Sequence, residues 1–420
     1  RRLTLDGHNR GRIVNRGTIS STTGNVGLFA SSTRSTGVII AGRNVAVVAG
    51  DRARVNGTIS AAHRVETSGR HLGFSGLSVQ ARNWLIDPKN LKVGSSAAHT
   101  ISSNLGSTNV TLKTTNSGCA GPGTCSTGGG DITIAAPITW STTNRLTLDA
   151  YRSIRVDDAI HAQGKASLII VSGHGGDLMF GGGSVTFDNL AAHLKINGDS
   201  YALVNSVAAL ASDIGSDPSA NYALASNYNA APDGTYANAP INTTFEGIFE
   251  GLGHAISKLS VNDSTYTTVP VGLFQTLGST GALRDIKLIN ASVISDSNNV
   301  GALVGRNDGA ITGSSISGEV TGMNNVGAGY YGGLAGYSDG PISGCRSSAA
   351  VSANDNGYVG GLVGYMSSAN ATITDSRATG TVTVTGVPDY PVVAGGLVGR
   401  AGETSGIEQW LAPWRFKRRL

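Results

Sequence analysis

The phrase Gly-Gly-Leu-Val-Gly at Gly360–Gly364 returns as Gly-Ala-Leu-Val-Gly at Gly301–Gly305, as Gly-Gly-Leu-Ala-Gly at Gly332–Gly336, and again at Gly395–Gly399, with Val271–Gln275 as a weaker first copy. The central leucines, Leu273, Leu303, Leu334, Leu362 and Leu397, are 30, 31, 28 and 35 residues apart. A period in that range marks a stacked repeat. A second register has the same phase: Ile311, Ile342 and Ile373 are 31 apart, and each is followed nine residues later by Val320, Val351 or Val382. No unit holds enough apolar residues for a core of its own. Stacking solves this, because each inward Leu, Ile or Val then rests on its counterpart one coil away, at about 4.8 Å.

Composition sets the class. Sixty of 420 residues are glycine and only 14% are charged, against about 25% in ordinary domains. Val, Ile, Thr and Ser are abundant, which favours strands over helices. The expectation is an all-β parallel β-helix, one continuous β-solenoid from near Gly11 to Gly399, with Leu362 turned inward between Leu334 and Leu397. Residues 1–94 read as irregular coils, 95–130 as a Ser/Thr/Gly-rich loop and 131–199 as coils again. Residues 200–262 read as a connection into the repeats of 263–399, with 400–420 as an aberrant or disordered tail. Leu203, Val207, Leu210 and Ile214 step by 4, 3 and 4, which predicts one short helix near Ser206–Ile214.

The segments Gly76–Val93 and Gly130–Ala162 resemble the filamentous haemagglutinin family of large bacterial exoproteins. Phe245–Val261 is similar to the stretch that leads such proteins into GLUG-motif repeats, and the Gly-Gly-Leu-Val-Gly units match that motif. The resemblance implies a right-handed β-helix, secreted or held at the bacterial surface, often through an outer-membrane secretion partner. It implies adhesion to host-cell or bacterial surface glycans or proteins. The amino-terminal secretion domain is absent or cut short in this reading, and the repeat pattern stops after Gly399. The alternatives are a polysaccharide-degrading β-helix enzyme and a purely structural stalk.

Candidate chemistry is sparse. Asp157 and Asp158 invite comparison with paired glycosidase carboxylates, but adjacent strand residues face opposite sides, and a polar corner is the simpler reading. His174 with Asp177, and Asp131 after three glycines, read as turns, since calcium-binding nonapeptides need tandem copies. Neither a metalloprotease nor a serine-hydrolase motif occurs, so no catalytic residue, cofactor or metal is expected. Cys119 and Cys125 lie six apart in a Gly/Pro loop and either close a small disulfide or remain two thiols; Cys345 stands alone. Without the four basic residues among the last six, 27 cations face 27 anions. This neutral body advertises no nucleic-acid surface, and no apolar run is long enough for a membrane span.

Overall fold

The computed structural model describes residues 2–7, 11–115, 129–265, 268–323, 329–354, 357–385, 393–402, 405–408 and 416–418. The chain forms two compact units, Arg1–Tyr201 and Ala202–Leu420. Both are built almost wholly of short parallel strands.

In the first unit the longest ladder stacks Val26, Val45, Val65, Trp84, Val110, Leu146, Leu168 and Leu194 in direct register. All eight are buried, while alternate residues are only half-buried or exposed, as in Arg145–Ala150. That alternation is the period of two that a strand imposes. The first coils are as short as 19 or 20 residues, the spacing of Val26, Val45, Val65 and Trp84. They are more regular than the sequence suggests, because Val, Trp and Thr occupy equivalent positions. Thr67 takes an inward place and stays satisfied by accepting a hydrogen bond from Trp84 Nε1 at 3.0 Å. The unit closes on a hairpin pairing Leu194 with Tyr201. Its turn is Asn197-Gly198, both at positive φ, as a two-residue hairpin demands.

The segment 95–130, read as a loop, begins instead with a helix, α1 (Ser95–Leu105), followed by the strand Asn109–Lys113. Its Ser and Thr content hid an apolar stripe of Ala98, Ile101 and Leu105, all buried. α1 stands between two ladders of one wall. On one side, Asn104 accepts from the Val79 amide at 2.6 Å and donates to the Leu77 carbonyl at 2.8 Å, while Thr108 donates to the Val79 carbonyl at 3.1 Å. On the other, the Ser102 hydroxyl accepts from the Thr139 amide at 3.0 Å. Asn104 of α1 and Thr108 just beyond it thus satisfy backbone groups of the strand Leu77–Gln80 that a neighbouring strand would otherwise pair.

The second unit opens with α2 (Val207–Ser216), where the Ser206 hydroxyl caps the Ala209 amide and Val207, Leu210 and Ile214 are buried. Leu203 belongs to the preceding strand, not to the helix. The chain therefore holds two α-helices among the described residues, not one.

Beyond α2 the sequence period becomes register. Ile311 pairs with Ile342 and Ile342 with Ile373; Val320 pairs with Val351 and Val351 with Val382. Leu303, Leu334, Leu362 and Leu397 are linked coil to coil, each amide bonding a carbonyl of the next: Leu303 to Leu334, Leu334 to Leu362, Leu362 to Leu397. The corners repeat as well, with Asp285, Gly313, Gly344 and Asp375 all at positive φ, a conformation that glycine and aspartate tolerate. Ser314, Cys345 and Ser376 follow these corners, and Cys345 fills a serine position, its amide donating to Ser376 Oγ at 3.0 Å. The ladders extend past Gly399: Gly406–Glu408 pairs with Thr372–Thr374, and Phe416–Arg418 with Val382–Val384.

Candidate binding face on the repeat coils

The last glycine of each repeat motif presses against a peptide bond of an earlier coil. A Cβ on Gly364 would fall on the Tyr330–Tyr331 peptide, one on Gly336 on Asn299–Val300, and one on Gly399 on Tyr358–Val359. Only glycine leaves room for that approach. The residue after each glycine is therefore held close to another wall of the coil.

Those following residues are Arg306, Tyr337, Tyr365 and Arg400, stacked in register. Beside them Tyr330 pairs with Tyr358 on the strands Gly329–Gly332 and Gly357–Gly360. The four rings form one cluster. Tyr330 stacks on Tyr365 with centroids 4.9 Å apart and on Tyr358 at 5.6 Å, Tyr358 stacks on Tyr365 at 5.7 Å, and Tyr337 lies 5.7 Å from Tyr365. All four are half-buried. Tyr331, one residue on from Tyr330, faces the core and is buried.

Cations close the cluster at both ends. Arg306 lies over Tyr337 at 4.7 Å, and Arg400 over Tyr358 at 5.0 Å; such contacts contribute about 0.5–1 kcal/mol at exposed sites. Arg400 also donates to the Tyr358 hydroxyl. Arg306 is fixed by Asp308 at 2.9 Å and Asp339 at 3.4 Å. Asp339 accepts from the Tyr337 hydroxyl at 3.0 Å and from Ser367. Burial raises the Tyr330 and Tyr337 hydroxyls above the usual tyrosine range, so both stay protonated as donors. The arrangement is a half-buried aromatic platform rimmed by hydrogen-bonding groups.

The residues that the sequence singled out lie elsewhere. Leu273, Leu303, Leu334, Leu362 and Leu397 are buried, as are Ile311, Ile342 and Ile373; they build the coils that carry the platform. Asp157 accepts from Arg155 Nε at 2.6 Å and Asp158 from the Ala159 amide at 2.8 Å, so both carboxylates are engaged locally at one corner. His174 stacks on Tyr151 at 3.7 Å. Asp131 holds Arg152 through both oxygens, at 2.9 and 2.6 Å, and this hydrogen bonding lowers its pKa. Cys119 and Cys125 fall outside the described residues. Cys345 is a buried free thiol, pushed up to about 12 chiefly by burial. Among the described residues no group of His, Cys, Asp or Glu is arranged to hold a metal, and no helix is long and apolar enough to cross a membrane. The tyrosines were missed because no single one is unusual. The signal was their phase, 28 residues between Tyr330 and Tyr358 and between Tyr337 and Tyr365.

Comparison with known proteins agrees with the coil architecture. Residues 355–383 match the family model described as the GLUG motif. A stretch of 97 residues, 23% of the chain, is 38% identical to Halomucin of Haloquadratum walsbyi (strain DSM 16790 / HBSQ001). The match spans about 1% of that much longer protein. No solved structure matches the chain. The protein is an all-β repeat protein with parallel solenoid coils, and it carries the GLUG motif.

Proposed function

We propose that this chain is part of a secreted or surface-exposed adhesive protein that attaches by laying sugar rings on the tyrosine platform of its GLUG coils. The platform is the observation that carries the reading. The apolar C–H face of a pyranose complements the negative face of an aromatic ring, and Asp339, Ser367, Arg306 and Arg400 offer hydrogen-bond partners at the rim. The similarity to Halomucin and the resemblance to the haemagglutinin exoproteins support an extracellular setting. Attachment through many weak contacts suits a repeated surface, and the reaction class is binding without turnover.

The test is direct. Beads coated with the chain are scored for capture of host and bacterial cells and of neutral glycans, and the supernatant is assayed for new reducing ends. Capture that falls in Tyr330→Ala/Tyr365→Ala, with no reducing ends released, supports the reading. Release of reducing ends that disappears in Asp157→Ala/Asp158→Ala would replace it with a hydrolase.

A further inference from the structure

Charge is not spread evenly along the chain. Residues 1–94 contain fourteen Lys and Arg against four Asp and Glu, whereas residues 95–414 contain thirteen against twenty-three. The neutral body was an average over two opposed segments.

Part of the amino-terminal charge converges. Arg52, Arg54, Arg70, His71 and Lys92, with Asn90, line a cleft of about 460 Å³ in the first unit. All of these side chains are exposed. They come from consecutive coils: Arg52 pairs with His71 across neighbouring strands, Arg34 pairs with Arg54 one coil earlier, and Lys92 stands on the strand Leu91–Val93, which follows Asn83–Asp87 in the chain. No carboxylate lines the cleft. Among the described residues, the ion pair that touches it is His71 with Asp51, at 3.9 Å.

We propose that this cleft binds a linear polyuronate, a polysaccharide bearing one carboxylate per sugar, and that it does so independently of the tyrosine face. Guanidinium groups match carboxylates through two parallel hydrogen bonds. In a polyuronate the charges recur at about the length of one sugar ring, close to the ~4.8 Å between neighbouring strands. Successive carboxylates therefore meet successive coils. A nucleic-acid single strand would want aromatic platforms for its bases, and no Phe, Tyr or Trp lines the cleft.

Fluorescence anisotropy with labelled polygalacturonate oligomers, at about 0.15 M salt to screen distant charges, tests the assignment. Arg52→Ala/Arg54→Ala/Arg70→Ala removes three cleft cations. Arg16→Ala/Arg43→Ala/Arg82→Ala removes three exposed arginines that do not line it. Circular dichroism checks that both variants stay folded. The proposal expects affinity to fall at least about tenfold in the cleft variant and less than about threefold in the control. It expects Tyr330→Ala/Tyr365→Ala to leave polyuronate binding unchanged, which separates this site from the adhesive reading. It is overturned if both triple variants lose affinity equally, if the cleft variant still binds as the parent does, or if the parent ignores polygalacturonate. Tighter binding of dextran sulfate or single-stranded DNA, abolished by the cleft variant, would reassign the site to that polymer.

Discussion

Gly364 packs its α-carbon against the amide of Tyr331 in the preceding coil, where any Cβ would meet the Tyr331 nitrogen and the Gly336 carbonyl. Both obstacles are backbone and neither can rotate away. Gly364→Ala should therefore destabilise the second unit by about 1–3 kcal/mol, the range for overpacking a tight contact. Gly215, near the end of α2, has open space around it. Gly215→Ala should stabilise by about 0.5–1 kcal/mol through helix propensity. Denaturant melts of the two variants should move in opposite directions.

Leu362 is fully buried, with its amide bonded to the Leu397 carbonyl. Leu362→Ala should cost about 2–5 kcal/mol by cavity formation, and Leu362→Asp more, because it buries an unpaired charge. Limited proteolysis should then cut first within the coils around Leu334 and Leu397. A cleavage pattern identical to the parent's would contradict the stacking.

Much of this architecture was legible from spacing alone. The Ile311, Ile342, Ile373 period became a direct register because parallel coils leave the partner no other phase once one face is buried. α1 was not legible, since Ser, Thr and Asn dominate it and its three buried apolar residues were too few to register. Its function is polar: Asn104, with Thr108 just beyond the helix, satisfies an open strand edge, a task that no hydrophobic pattern reports. The platform was half legible. The glycines were conspicuous, but the residues after them mattered only once the close approach of walls was known. The basic cleft was hidden because charge was summed over the chain.

The edge-covering task of Asn104 is testable. Asn104→Leu keeps the size but removes the bonds to Val79 and Leu77, leaving two buried backbone groups unpaired, at about 1–3 kcal/mol each. Amide exchange at Val79 should accelerate by the corresponding factor, while Val110, paired within a continuous ladder, should be less affected.

The second unit should weaken as the solution becomes alkaline. Burial, and then the charge of Asp285, push Glu250 up to about 8 from an ordinary 4.5. A carboxyl raised in this way stays protonated in the folded chain. Its contribution is complete below about pH 4.5 and is lost as pH rises through about 8, because the unfolded chain releases the proton first. Melting temperature should therefore fall between pH 5 and pH 8 in the parent. Glu250→Gln, which keeps an acceptor for the Leu252 amide, should flatten that slope and melt higher at pH 8.

Saturation-transfer difference NMR tests whether Tyr330, Tyr337, Tyr358 and Tyr365 act together as the proposed sugar-binding platform. Neutral oligosaccharides are mixed with the parent chain and with Tyr330→Ala/Tyr365→Ala. Saturation should reach the ring C–H protons of the sugar in the parent and vanish in the folded variant. Equal transfer in both, or none to any sugar in the parent, would contradict it.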